Sequence, residues 1–325
     1  MRKRDLLGTA ALALMIVGGL SATAQAEWPE RAVTIIVPAG AGGGTDATGR
    51  MLAKGLQDIF GKPFNIVNNG EGGGVVGHTM IMTAKPDGYT IGTIFPFAQM
   101  KLMGQGDIGS DKFTPIAQYN FDPAAFQAAA DSPYKNLKSA LDAIKTDPAK
   151  YKMSCGGGCA GSWDIPVTGM MLDYGIEAAK LVRIPAKGAA AGLQELVSGG
   201  VDFISASLPE AGPLIEAGKV KPLVVLGEKR TPAFPEVPTV KEITGKLFEG
   251  GAFRGIAGPV GMPAEVVAKL EPALKKIYDS EEFQKQMNDR GFGLKWRSKE
   301  DFAAFLKQHE ADTKRIMTAL GMIKS

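Results

Sequence analysis

Three stretches of the sequence combine glycine with a position between an apolar segment and a helical one: residues 39–45 (Ala-Gly-Ala-Gly-Gly-Gly-Thr), 70–74 (Gly-Glu-Gly-Gly-Gly) and 156–162 (Gly-Gly-Gly-Cys-Ala-Gly-Ser). Glycine lets a ligand come close to the backbone. The start of a helix offers unpaired N–H groups and the positive end of its dipole, which together favour an anion. Phosphate is the wrong anion for the first stretch. A Walker loop ends in Gly-Lys-Ser/Thr, whereas this one ends in Gly44-Thr45-Asp46, and the Asp46 carboxylate would repel phosphate. A dinucleotide fingerprint wants an acid at the end of the second strand, where this chain has Asn68. As a set, the three loops could take a carboxylate or a phosphate, with the nucleotide-binding readings set aside.

Other reactive residues are few. The two histidines are His78 and His309, which argues against a multi-histidine metal site. A hydrolase built on Ser162 and His78 lacks the Gly-x-Ser-x-Gly elbow, since Ser162 lies in Ala-Gly-Ser-Trp-Asp. No catalytic residue, cofactor or metal is therefore expected. Cys155 and Cys159 flank three glycines, which allow the chain to curl back into a disulfide in an oxidising compartment. Two free thiols are the alternative. A metal site would need further ligands, and redox pairs usually have two intervening residues rather than three.

The elements that must hold these loops alternate between strand and helix. Strands are expected at 32–38, 64–67 and 89–95, with helices at 45–60 and 75–84 between them. Thr45 or Asp46 is read as the cap of the first helix, whose apolar face is Met51, Leu52, Leu56 and Ile59. This is the pattern of a parallel sheet with helices on its faces. Further on, 113–119 and 121–130 read as extended or linking segments. Helices are expected at 136–146, 164–174, 189–198 and 209–218, and strands at 152–155, 179–184, 201–206 and 221–226. The C-terminal part reads as mostly helical, with an interruption or kink at Pro272 and a Ser298-capped helix running to about Leu320.

Composition narrows the class. The chain has 325 residues, 45% hydrophobic and 22% charged, enough for about two domains with real cores. With 37 basic against 34 acidic residues the net charge is +3, so no basic footprint for nucleic acid exists. The N-terminus reads as an export signal: Arg2, Lys3 and Arg4, then an apolar run, then Ala24-Gln25-Ala26 before Glu27. The run is too short to span a bilayer. Residues 1–26 are thus expected to be removed, leaving a periplasmic product.

Against this background the segment from Val37 to Asp46 resembles the first loop of the Bug family, the periplasmic substrate-binding proteins of tripartite tricarboxylate transporters. Pro86-Asp87-Gly88-Tyr89-Thr90, Phe113-Thr114-Pro115-Ile116-Ala117, Ile184-Pro185-Ala186-Lys187-Gly188, Pro235-Glu236-Val237-Pro238-Thr239 and Gly261-Met262-Pro263 are similar to later family segments, in the same order. The resemblance implies an α/β fold: a two-lobe, Venus-flytrap binding protein of type II, each lobe a mixed sheet flanked by helices. Lobe one would hold 27–121 and 252–325, and lobe two 122–251, with interlobe connections near 119–122 and 248–252. It further implies a monomer that captures a small carboxylate and docks on membrane transporter subunits. A ligand sensor that contacts a membrane receptor kinase would share this chemistry and differ in its partner.

Carried over by motif, the resemblance places Ala39, Gly40, Gly43, Thr45, Asp46, Gly73, Gly74 and Gly77 near the ligand in lobe one. In lobe two it places Gly161 and Ser162, with Ser205 or Ser207 after the strand at 201–206. The chain departs from the family pattern at several of these points. Ala39-Gly40 replaces Phe-Ala, Ala186 replaces an aromatic residue, an Arg of the second loop is missing and Glu71 is gained. Ile165 stands where a His is usual, and Trp163 is close by as a pocket wall or a core anchor. The expectation is a larger or differently shaped ligand. Plainer roles are open to Asp46 as a helix cap, His78 as a packing residue, Glu71 as a solvated loop residue and Lys187 as a turn support. Phe95 and Phe97 line the cleft or pack. Arg183 and Arg254 are candidate carboxylate partners outside the family motifs.

Overall fold

The computed structural model describes residues 27–323 apart from 157, 158 and 187. The export signal and Lys187 therefore lie outside the described residues. Among those described, no helix is long and apolar enough to cross a membrane.

The first third runs β1 (Val33–Val37), α1 (Gly44–Phe60), β2 (Phe64–Asn68), α2 (Val75–Met82), β3 (Thr90–Ile94) and the short α3 (Ala98–Leu102). β1 pairs in parallel with β2 and β3. α1 covers the sheet with Leu52, Ala53 and Leu56, all buried; each leucine contributes about 1.5–3 kcal/mol. Ile59, expected on that face, is 38% exposed.

A single 17-residue strand, β4 (Phe113–Ala129), replaces the linking segments expected there. It belongs to two sheets. Its first part, through Pro123, pairs antiparallel with β9 (Gly251–Pro259), which returns to β3. From Ala124 onward it pairs antiparallel with β7 (Phe203–Ser207) and β8 (Val220–Val225). β7 continues in parallel to β5 (Lys152–Ser154), and β5 to β6 (Val182–Ile184). The helices of this second layer are α4 (Leu137–Thr146), α5 (Asp164–Asp173), α6 (Ala189–Val197), α7 (Leu208–Glu216) and the short α8 (Val240–Thr244).

The C-terminal part has more strand than expected. After β9 come α9 (Ala264–Tyr278), α10 (Glu281–Asp289), β10 (Leu294–Arg297) paired with β4, and α11 (Lys299–Ala319). α9 is continuous through Pro272, so the expected interruption does not occur. Pro272 and Ala268, the residue whose carbonyl it would have bonded, are both on the exposed face, where water can satisfy that carbonyl. α11 is capped by Ser298, whose hydroxyl accepts from the Asp301 N–H. Phe302 and Leu306 of this helix lie in a core built on the first sheet, and Ile316, Met317 and Leu320 in the core of the second.

Candidate ligand-binding site

The first two glycine loops leave the carboxyl ends of neighbouring strands β1 and β2, and side chains tie them into one floor. Asn68, the last residue of β2, donates from Nδ2 to the Ala39 carbonyl (3.2 Å) and to Asp46 Oδ1 (3.0 Å). Asp46 Oδ2 accepts from the Gly42 N–H at 2.8 Å and from Arg50 Nε at 3.1 Å. Burial pushes the Asp46 carboxyl up, but the hydrogen bonds from Arg50, Gly42 and Asn68 outweigh it and hold the group below its ordinary value. The expected capping role is corrected here. Gly43 is the N-cap of α1 and makes no side-chain bond. Asp46 sits inside the first turn and reaches back to secure the loop, while the Thr45 hydroxyl accepts from Arg254.

The second loop packs closely on the first. A Cβ on Gly70 would lie 2.9 Å from Gly40 N, and one on Gly77 would lie 2.5 Å from the Asn69 carbonyl oxygen and 2.6 Å from Pro38 Cα. Gly77 is thus a packing residue that lets α2 approach β1. Gly72, Gly73 and Gly74 all have positive φ (62°, 69° and 102°), which only glycine adopts readily. Gly40, Gly43 and Gly73 are exposed. Glu71 is exposed at the head of a 3₁₀ turn. His78 is fully buried, against Phe95 and Phe97, with Nδ1 2.8 Å from the Gly74 carbonyl. Both aromatics and the histidine therefore pack beneath the floor.

The third loop, in the second layer, is pinned by its own carboxylate. Asp164 Oδ2 accepts from the Ala160 N–H (2.7 Å) and from Arg183 Nη1 (3.1 Å). Burial raises the Asp164 pKa, opposed by the Ala160 N–H and by Arg183. Arg183 is thereby committed to the loop. Cys155 and Cys159 are joined in a disulfide with Cα atoms 5.1 Å apart. Gly156 rests on the β7 end: a Cβ there would lie 1.9 Å from the Ser205 carbonyl oxygen and 3.5 Å from Trp163 Cδ1. Gly161, Ser162 and Trp163 are half-buried, and Trp163 packs against the core of the second sheet. Ser205 is fully buried with its hydroxyl donating to Ser154 O at 3.4 Å. Ser207 caps α7 and donates to Glu210 Oε2 at 2.7 Å. Both serines are engaged within their own layer.

Sequence reasoning gave little weight to the polar cluster between the layers. Arg254 of β9 binds Thr45, Asn120 and Asp122, and Asp122 Oδ1 accepts from the Gly293 N–H at 2.8 Å. Glu210 of α7 is exposed, yet close enough to feel the charges of Asp122 and Arg254. Loss of water contact raises its pKa, against the pull of Ser207. The two layers come close beside Glu210: a Cβ on Gly291 would lie 3.1 Å from Pro209 Cβ. No short-range signal links these positions, which are far apart in the chain.

A family model described as the tripartite tricarboxylate transporter family receptor matches residues 48–322. A UPF0065 protein of Cupriavidus necator is 28% identical over 323 residues, 97% of this chain and 96% of the relative. A ligand-free TctC solute-binding protein from Polaromonas superposes with TM-score 0.81 at 29% identity, covering 90% of this chain and 99% of that one. MatC from Rhodopseudomonas palustris, solved with bound malate, gives TM-score 0.68 at 25% identity, covering 90% of this chain and 100% of that one. The architecture is that of the periplasmic binding proteins, and the family is one of solute-binding receptors rather than enzymes. Matched along most of its length and sharing the fold of these solved structures, the chain belongs to the receptor family of tripartite tricarboxylate transporters.

Proposed function

We propose that this periplasmic solute-binding protein captures a small organic carboxylate, a di- or tricarboxylate or an aromatic acid, and delivers it to the membrane subunits of a tripartite tricarboxylate-type transporter. The observation that carries the reading is the floor formed by residues 39–45 and 70–77. It is a glycine surface at the carboxyl ends of two parallel strands and the N-terminus of a 17-residue helix, locked by Asp46 and Asn68 with Arg50 behind them. Such a floor offers backbone N–H groups to an anion. The malate in MatC belongs to the same class of ligand.

In this reading the ligand docks first on the floor. Residues 161–163 and the start of α7 then close over it, and contacts made only in the closed form shift the population toward closure. We divide the mature chain into 27–121 with 252–325, and 122–251, with the last turns of α11 bracing the second unit. Residues 1–26 serve as the export signal, and the protein acts as a monomer. Ala39-Gly40 and Ala186 leave room for a ligand longer than a four-carbon diacid.

The test is a thermal-shift screen of residues 27–325 against C4–C6 dicarboxylates, tricarboxylates, aromatic acids, amino acids and nucleotides. An acid at 100 times its Kd stabilises by about 2.7 kcal/mol. Stabilisation by nucleotides alone would sink the carboxylate reading. Preference for C4 over larger acids would sink the enlarged pocket.

A further inference from the structure

The guanidinium of Arg254 is held in place and only partly used. Arginine has five N–H donors in a planar fork. Nε donates to Thr45 Oγ1 at 3.1 Å. Nη1 donates to Asp122 Oδ2 at 2.7 Å and to Asn120 Oδ1. Asn120 and Asp122 are in turn fixed by Gly293, through its carbonyl (2.7 Å) and its N–H (2.8 Å). The Phe292 ring lies 5.3 Å away on one side. Among the described residues Nη2 has no hydrogen-bond partner, and it is not among the atoms sealed from solvent. It lies at the head of α1, 2.9 Å from where a Cβ on Gly44 would be, so glycine at 44 is what leaves it room.

We propose that Arg254 is the charge-reading residue of the binding site, donating from Nη2 to a ligand carboxylate at the N-terminus of α1. This rests on the carboxylate reading above and adds a side-chain cation to a floor otherwise made of backbone. Three fixed donors mean that little rotamer freedom is lost when Nη2 engages. The Asp122 ion pair keeps the buried charge compensated while the site is empty. Thr45 links the same side chain to the first loop, so the anion site and the β4 crossing point share one strut.

The test compares an acid with its amide. Succinate, malate, adipate and benzoate, with the matching mono- or carboxamides, are titrated calorimetrically into wild type, Arg254→Gln and Arg254→Lys. Loss of one hydrogen bond to a charged group should weaken acid binding about ten- to hundredfold in Arg254→Gln. Amide binding should change far less, so the acid-over-amide preference collapses. Arg254→Lys keeps the charge without the fork and should retain part of that preference. Equal weakening of acid and amide would make Arg254 a strut only and overturn the proposal. Wild-type affinity in Arg254→Gln would overturn it as well. A wild type that binds none of the acids would overturn the proposed function, and this inference with it. Unfolding midpoints of the ligand-free variants separate loss of binding from loss of fold.

Discussion

His78 tests how the floor is supported. Its ring is fully buried and Nδ1 lies 2.8 Å from the Gly74 carbonyl, so Nδ1 carries the proton and donates. Nε2 is sealed without a partner, and the Phe95 and Phe97 rings are 4.6 and 5.6 Å away. Burial lowers the pKa from 6.5 to about 4, against the opposing pull of the Gly74 carbonyl. The unfolded chain therefore takes up this proton first as pH falls. Stability from the neutral ring is complete above 6.5 and is lost progressively down to about 4. Those two values give a loss of about 2 kcal/mol by pH 5 and about 3 kcal/mol at pH 4. His309 is held near 4 by burial as well, and the raised acids Asp164 and Glu210 oppose both histidines by gaining protons in the native state. His78→Gln isolates the one group, because every other titration remains in the variant. Urea unfolding of wild type and His78→Gln from pH 7.5 to 5 should show the variant less stable at 7.5 and the gap narrowing by about 2 kcal/mol at pH 5. Parallel pH profiles would refute the reasoning.

Three further outcomes follow from the loops. Gly77→Ala drives a methyl into Asn69 O and Pro38 Cα and should cost about 2 kcal/mol or more, while Gly40→Ala, with nothing within 4 Å, should stay within about 0.5 kcal/mol; denaturant midpoints compare them. Asp46→Ala leaves the Gly42 N–H without its acceptor and Asn68 Nδ2 with only one of its two, and should cost about 1–3 kcal/mol and weaken any acid found in the screen; calorimetry measures both. Reducing Cys155–Cys159, or replacing both by Ser, opens a very short loop and should cost only about 2 kcal/mol, read from unfolding with and without dithiothreitol.

Much of the floor was legible because its chemistry is local. Residues 39–45 and 70–74 announce themselves by clustered glycines, several of which face close contacts or adopt positive φ, and by the β-branched apolar strand that precedes the first of them. β4 was not legible as one strand. Pro115, Asn120, Asp122 and Pro123 read as a linker, yet these polar and kinked positions mark the point where the strand leaves one sheet for the next. β9 hid behind Gly251, Gly255 and Gly258. Two of those glycines are required by neighbours distant in the chain: Phe302 fills the space beside Gly255, and the Asp122 carbonyl lies against Gly251. Pro272 was over-read, since a proline on the solvent face of a helix costs less than one facing the core. Arg254 reads from the sequence as a candidate carboxylate partner, but its own partners lie 132 to 209 residues away, and no motif could rank it above Arg183.

The same long-range contacts limit how the two layers can move. β4 runs unbroken from one sheet to the other, and α11 sinks Phe302 and Leu306 into the first core and Ile316 and Met317 into the second. A 21-residue helix is about 31 Å of rigid rod. Anchored at both ends, it ties the two cores together and resists their separation. Lys295 and Arg297 of β10 add ion pairs to Glu228 (2.8 Å) and Glu249 (3.0 Å) in the segments that flank α8. In the proposed closure the third loop and α7 would turn toward the floor while these ties hold the two layers together. Arg254, bonded both to Thr45 at the floor and to Asp122 at the crossing, is the side chain through which an anion on the floor would be felt at the pivot.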